Sequence, residues 1–223
     1  MTTEFDTYLV TQRDLSAGRS TEEVVEAALA GGIDVVQVRE KDHTAREQLA
    51  TAERLRDLTA AADVPLIVND RVDIARAADA DGVHLGDDDV PVDVARDQLG
   101  ADAIVGRSVS TVEAANAAEA AGADYLGVGA VYATSSKDVD EDEQAIGLAR
   151  IEAIADAVDI PFVGIGGVTA DNAADVVAAG ADGVAVISAI TQADDPEAAT
   201  RDLNEAVAEG KRRRDGAAME GEA

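Results

Sequence analysis

Short apolar runs alternate with longer segments of helical periodicity along nearly the whole chain. The runs predict eight strands, at 7–11, 33–38, 65–69, 82–85, 103–106, 124–129, 161–165 and 183–187. Most of these runs are continuously apolar, which is typical of parallel strands covered on both faces. The segments that follow them predict eight helices, near 20–30, 44–62, 71–78, 91–98, 110–121, 148–158, 170–179 and 196–210.

One phrase recurs where a helix gives way to a strand. "AGGIDVVQV", "AGADYLGV" and "AGADGVAV" each contain a glycine that can end a helix, then an aspartate, then an apolar run. Repetition of one such unit, with eight strands and eight helices, predicts an α/β fold: a closed (β/α)₈ TIM barrel in a single domain over 1–210. An open doubly wound sheet is the alternative, but no G-x-G-x-x-G opens a helix after the first strand. The stretch 211–223 is predicted to be a disordered tail.

The strong negative charge of the protein limits which classes of partner it can bind. The 223 residues include 46 Asp and Glu against 18 Lys and Arg, a formal net charge of -28. Such a surface repels nucleic acid and anionic membranes, so we expect neither as a partner. Acidic residues scattered along the whole chain favour adaptation to a high-salt cytoplasm, where screening weakens the repulsion. No apolar run is long enough to span a membrane, so the prediction is a cytoplasmic protein, with a homo-oligomer left open.

Cations are rare in this chain, and several follow predicted strands. Gln37, Arg39 and Lys41 come at the end of the second strand, and the chain has only three lysines. A period of two places these three side chains on one side, with Val38 and Glu40 on the other. Because a barrel of this kind builds its active site where strands end, the three are expected to meet an anion at the mouth. For one such residue alone, a solvated surface charge would be the default interpretation.

Carboxylates follow the next two strands. Asp70 comes after the third strand, and "DDD" at 87–89 comes after the fourth. Two facing carboxylates repel each other unless a cation or proton lies between them. Mg²⁺ suits such a pair because it uses one or two carboxylates together with substrate phosphates. The aspartates at 87–89 alone would be weak evidence on so acidic a surface. His84, inside the fourth strand, is interpreted as a packed barrel histidine.

The later strand ends carry groups suited to phosphate. The longest connection, "VYATSSKDVDEDEQ", places hydroxyls beside Lys137 and could fold over a substrate as a lid. "GIGG" at 164–167 and Ser188 follow the last two strands, which is the usual position of a barrel phosphate site.

Six motifs occur in this order along the chain: "QVREK", "VND", "GVHLGDDD", "GRS", "GVGAVYATSSK" and "VGIGGVTADNAADVVAAGADGVAVISAI". Their order and spacing resemble those of the thiamine phosphate synthase family. The resemblance covers roughly residues 7 to 210. It implies a transferase that joins hydroxymethylpyrimidine diphosphate to a thiazole phosphate, releasing pyrophosphate, and CO₂ when the thiazole carries a carboxylate.

The resemblance also implies roles for individual residues. By similarity, Arg39, Lys41 and Lys137 are catalytic, and Asp70 and Asp89 bind one Mg²⁺ per subunit, with Asp88 a conceivable alternative. The residues that would bind the pyrimidine diphosphate are Gln37, Arg39, Lys41, Asn69, Ser108 and Lys137. Those that would bind the thiazole phosphate are Thr134, Ser136, Gly167, Ile187 and Ser188. Ile146–Gly147 stands where the family commonly has Gln-Gly, which leaves the lid contacts open.

Three other functions remain as alternatives. A related thiazole tautomerase shares the barrel but needs an acid/base residue rather than a diphosphate clamp and a metal pair. A non-catalytic phosphate-ligand sensor would not need the metal pair. A generic phosphosugar barrel enzyme would share only the site after the last two strands.

Overall fold

The computed structural model describes residues 5–134 and 145–221, and for 218–221 the backbone only. Eight parallel strands pair in sequence order and close into a barrel, β1-β2-β3-β4-β5-β6-β7-β8. They are Thr7–Val10, Val35–Val38, Leu66–Asn69, Gly82–Leu85, Ile104–Val109, Tyr125–Gly129, Phe162–Ile165 and Gly183–Val186. The predicted (β/α)₈ barrel is therefore confirmed, and the open sheet is excluded because β1 pairs with β8.

Helices follow the strands around the outside of the barrel. They are α1 to α9: Thr21–Ala30, Ala45–Ala61, Val72–Ala77, Val92–Leu99, Val112–Ala120, Leu148–Ala155, Ala170–Ala178, Ser188–Thr191 and Pro196–Gly221. Ser20 caps α1 in the predicted capping box, in which its hydroxyl accepts from Glu23 N–H and the Glu23 carboxylate accepts from Ser20 N–H. The four-residue α8 and a 3₁₀ turn at Arg13–Leu15 are too short to show a periodic pattern in the sequence.

The alternation of side chains along the strands produces two cores. Between the strands and the helices lies a continuous apolar layer that includes Leu9, Val36 and Leu126. Inside the barrel lies a smaller cluster that includes Tyr8, Ile67 and Tyr125. Because residues two apart share a face, Gln37, His84 and Ser108 also point into the barrel, where they hydrogen-bond to one another or to the two tyrosines.

Two boundaries differ from the sequence predictions. β5 extends to Val109, so Ser108 lies on the strand, opposite Gly127, rather than in the loop after it. Helix α9 continues to Gly221, so most of the stretch predicted as a disordered tail is helical. Contacts with the barrel explain this extension: Lys211 Nζ lies 2.5 Å from Asp6 Oδ1, and Arg214 donates to the carbonyls of Gly180 and Ala181. Within the described residues, no helix is both long and apolar enough to cross a membrane.

Candidate active site

The three side chains predicted to meet an anion at the end of β2 lie in different environments. Gln37 points into the barrel, where its Nε2 donates to the Tyr8 hydroxyl at 2.8 Å. Arg39 is buried, and its Nη1 donates to Gln12 Oε1 at 3.3 Å. Lys41 lies further out, with Nζ 3.1 Å from Asp70 Oδ2. The expectation of three side chains on one side is thus met only in part, because the period of two does not continue beyond the end of β2 at Val38.

Glu40, which the sequence analysis did not single out, fixes the loop that carries the cations. Its Oε1 accepts from the hydroxyls of Thr11 at 3.0 Å and Thr21 at 2.9 Å, and its Oε2 accepts from Arg13 N–H at 3.1 Å. Thr11 Oγ1 in turn accepts from Arg39 N–H at 3.1 Å. A carboxylate can be buried only when its oxygens are satisfied in this way. Glu40 therefore ties the Arg39 backbone to the first turn of α1 and to the end of β1.

The two predicted metal-binding carboxylates face each other. Asp70 N–H donates to the His84 carbonyl at 2.8 Å, which fixes the start of the loop after β3 beside β4. Asp89 Oδ2 accepts from Gly86 N–H at 2.6 Å, which closes a tight turn after β4. Burial and a hydrogen bond with Asp70 together raise the pKa of Asp89, although the Gly86 N–H opposes the shift.

The three aspartates after β4 have different environments. Asp87 is exposed and its Oδ1 accepts from Arg107 Nη2 at 2.7 Å, and Asp88 is also exposed. Asp89 is half-buried and is the one that faces Asp70. The geometry therefore favours Asp89 over Asp88 as the partner of Asp70.

The donor set fits Mg²⁺. Within 5–134 and 145–221, no cluster of three or more His, Cys, Asp or Glu forms a complete metal site. Two facing carboxylates nevertheless match the way proteins hold Mg²⁺, which usually keeps water and substrate phosphate oxygens as its other ligands. A site completed by substrate is therefore compatible with Asp70 and Asp89 alone.

The predicted phosphate-binding residues meet at the opposite side of the mouth. A small cavity of about 60 Å³ is lined by residues of the β6, β7 and β8 loops, including Thr134, Gly167, Ile187 and Ser188. Gly166 and Gly167 have φ angles of 99° and 64°, which favour glycine. A Cβ on Gly167 would lie 2.7 Å from the Ala133 carbonyl oxygen, so the loop approaches closely only because no side chain is present. Ser136 and Lys137 lie outside the described residues.

A larger cavity lies beside this corner, at the ends of β5 and β6. Its volume is about 290 Å³, and Ser108, Gly127 and Ile165 line it, together with Arg150 of α6. Ile165 also lines the small phosphate cavity, so the two spaces adjoin. Arg150 was not predicted, since nothing in the helical pattern of α6 indicates that it faces the mouth. Asn69 instead lines a separate cavity of about 280 Å³ with Lys41 and Asp70.

Comparison with known proteins agrees with this arrangement. The family model described as thiamine monophosphate synthase matches residues 7–190. The chain is 68% identical over 207 residues to the thiamine-phosphate synthase of Natronomonas pharaonis, covering 93% of this chain and 97% of the relative. It is 64% identical over 209 residues to that of Haloarcula marismortui, covering 93% and 99%. Both relatives come from halophilic archaea, in line with the acidic composition.

A solved structure supports the same assignment. The thiamine phosphate pyrophosphorylase from Pyrococcus furiosus superposes with a TM-score of 0.85 at 41% identity, covering 93% of this chain and 98% of that one. The resemblance inferred from the motifs is thereby confirmed. The chain is a transferase that acts on small-molecule substrates, and it belongs to the thiamine monophosphate synthase family.

Proposed function

We propose that this enzyme joins hydroxymethylpyrimidine diphosphate to a thiazole phosphate, forming thiamine phosphate and pyrophosphate. The bond between the pyrimidine methylene and the diphosphate oxygen breaks first, and its electron pair leaves with pyrophosphate. The thiazole nitrogen then donates its lone pair to the pyrimidinylmethyl cation and forms the new C–N bond. When the thiazole carries a carboxylate, that group leaves as CO₂, the electron pair of the broken C–C bond stays on the ring carbon, and a proton from solvent adds there.

One observation carries this proposal most directly. The paired carboxylates with Lys41 and the phosphate cavity lined by Gly167 and Ser188 open on the same end of the barrel, with a cavity of about 290 Å³ on the phosphate side. Two anionic substrates therefore have two separate anchoring corners. When both substrates are anchored, the pyrimidinylmethyl cation and the thiazole nitrogen are held close together, so the new bond forms between two positioned groups.

The residues at the diphosphate corner stabilise charge that develops on the leaving group. Arg39 is buried and Lys41 is paired with Asp70, so both positive charges stand near the end of β2 and would stabilise the charge that develops as pyrophosphate departs. Asp70 and Asp89 would hold Mg²⁺, which supplies Lewis-acid neutralisation of the diphosphate when bound. As the family resemblance implies, Lys137 is proposed to bind the pyrimidine diphosphate and Ser136 the thiazole phosphate. Asn69 and Ser108 are proposed to bind the pyrimidine.

No general base is needed to create the nucleophile, because the thiazole nitrogen already has a lone pair. The facing carboxylates Asp70 and Asp89 beside Lys41 favour the synthase over the tautomerase, which needs an acid/base residue rather than a diphosphate clamp and a metal pair. The test is product analysis after incubation with both substrates and Mg²⁺. Thiamine phosphate supports the proposal, whereas an isomerised thiazole phosphate without condensation would favour the tautomerase. A cytoplasmic location and a homo-oligomeric assembly stay predictions.

A further inference from the structure

A chain of hydrogen bonds crosses the barrel interior below the active site. Gln37 Nε2 lies 2.8 Å from the Tyr8 hydroxyl, and the Tyr8 and Tyr125 hydroxyls lie 2.8 Å apart. The Tyr125 hydroxyl lies 2.9 Å from His84 Nδ1, and His84 Nε2 lies 2.9 Å from Ser108 Oγ. Five strands thus each contribute one member, and the chain ends on Ser108, which lines the larger cavity.

Each hydroxyl has a single proton, and this gives the chain a direction. Gln37 Nε2 donates to the Tyr8 hydroxyl. Tyr8 is fully buried, and among the described residues Tyr125 is the remaining partner of its hydroxyl. The arrangement that gives every proton an acceptor therefore has Tyr8 donating to Tyr125 and Tyr125 donating to His84 Nδ1. A neutral imidazole that accepts at Nδ1 carries its proton at Nε2 and donates there. Ser108 Oγ then accepts from His84, and its own proton is left to point elsewhere.

The two tyrosines remain donors throughout the working range of pH. Both are fully buried, and burial raises the pKa of the Tyr8 and Tyr125 hydroxyls well above the ordinary value. Neither hydroxyl therefore ionises, and neither can become a pure acceptor that would interrupt the chain.

The surrounding residues are arranged to accommodate this chain of hydrogen bonds. The protein has only three tyrosines, and two of them are members of the hydrogen-bond chain. Phe5 stacks on Tyr125 with ring centroids 4.5 Å apart. A Cβ on Gly106 would lie 2.2 Å from Tyr125 Cζ, so glycine is required for the ring to cross β5. Phenylalanine would fill the same space without the cost of burying two hydroxyls, so a packing role alone does not explain the tyrosines.

We propose that this chain holds His84 as the Nε2–H tautomer and so fixes Ser108 as a hydrogen-bond donor to an acceptor atom of the pyrimidine diphosphate substrate. Tyr8, Tyr125 and His84 are then positioning residues, which act on the substrate only through Ser108. The inference rests on the proposed function for the identity of the substrate. The state of His84 itself does not depend on it.

The tautomer of His84 is measured by NMR on the full-length protein labelled with ¹⁵N-histidine, without substrate. The protein has two histidines, and His43→Gln assigns their signals. The expected result is a protonated Nε2 and an unprotonated Nδ1 on His84 in the wild type. Protonation at Nδ1 alone would overturn the proposal, because Ser108 would then donate to His84 Nε2 instead of to the substrate. Protonation at both nitrogens would also overturn it, because Nδ1 could not accept from Tyr125.

Kinetics with the pyrimidine diphosphate test the coupling. Ser108→Ala and Tyr125→Phe should each lower kcat/KM for this substrate roughly tenfold, as expected for one lost hydrogen bond. The double variant should lose no more than Ser108→Ala alone, because both changes remove the same interaction. Tyr8→Phe should have a smaller effect, since Tyr125 still donates to His84.

Two kinetic results would contradict the proposal. Multiplied losses in the double variant, or a raised KM for the thiazole phosphate in Tyr125→Phe, would show that Tyr125 supports only the fold and would overturn the proposal. Because the tautomer is read without substrate, its failure is distinguishable from failure of the proposed reaction, which would appear as absent turnover in the wild type.

Discussion

Lys41 Nζ lies 3.1 Å from Asp70 Oδ2 at the mouth of the barrel. Both side chains are partly exposed, with 47% and 25% of their surface accessible, so the ion pair itself adds little to stability. Its consequence is local: an ammonium group stands beside one of two facing carboxylates. Under the proposed function, the same lysine would contact a diphosphate that approaches Asp70 and Asp89.

The carboxylate pair gives the first prediction. Asp70→Asn and Asp89→Asn should each lower turnover by about 100-fold and raise the Mg²⁺ concentration needed for half-maximal rate, because each removes one anionic ligand. Turnover measured across a Mg²⁺ titration checks both effects. Asp88→Asn is the matched control, since it makes the same change in charge at the neighbouring, exposed position. Equal losses in all three variants would mean that net charge alone matters.

The second prediction concerns the cations. Arg39→Ala and Lys137→Ala should each lower kcat by about 100-fold or more, since each removes a positive charge that the proposed function assigns to the leaving pyrophosphate. The far-UV circular dichroism spectrum should stay unchanged in both. Arg46→Ala removes an exposed arginine of α2 and should retain activity. Near-wild-type rates in both active-site variants would be incompatible with the assigned roles.

The third prediction follows from the buried carboxylate of Glu40. Glu40→Gln should reduce the free energy of unfolding by about 1–3 kcal/mol, because an amide cannot accept from all three donors now around it. Urea unfolding measures the change. Asp42→Asn, at an exposed position two residues away, should leave stability within experimental error. No loss in Glu40→Gln would argue against the tether between β1, β2 and α1.

The fourth prediction tests the extended last helix. Arg214→Ala removes two hydrogen bonds to the carbonyls of Gly180 and Ala181 and should lower Tm by about 2–4 °C. Among the residues that the structure describes, Arg212 bonds only to Glu209 on its own helix, so Arg212→Ala should change Tm much less. If both variants melt with the wild type, the segment after residue 210 does not pack against the barrel.

The sequence predicted the fold well because eight apolar runs alternate with helical segments, and each strand lies within a few residues of its predicted place. The positions of Asp70, Asp89, Gly167 and Ser188 at one end of the barrel were also predictable, since parallel strands all end at one face, while their roles stay predictions. Glu40 was not, because its partners Thr11 and Thr21 come from other elements, 29 and 19 residues away. The continuation of α9 depends in the same way on contacts with Asp6 and the 180–181 backbone.

The role of His84 illustrates the same limit. Its place in an apolar strand indicates a packed histidine, and the structure confirms that it is buried. Its hydrogen bonds to Tyr125 and Ser108 depend on the closure of the barrel, which brings β4, β5 and β6 side by side. No local sequence pattern predicts that Tyr125, His84 and Ser108 lie next to one another.

The most direct test of the whole account is pyrophosphate release in a high-KCl buffer, measured with both substrates, with each alone, and with and without Mg²⁺. The account predicts release that requires Mg²⁺ and the thiazole phosphate and that matches the thiamine phosphate formed. Thiazole phosphate binding without any pyrophosphate release would contradict it.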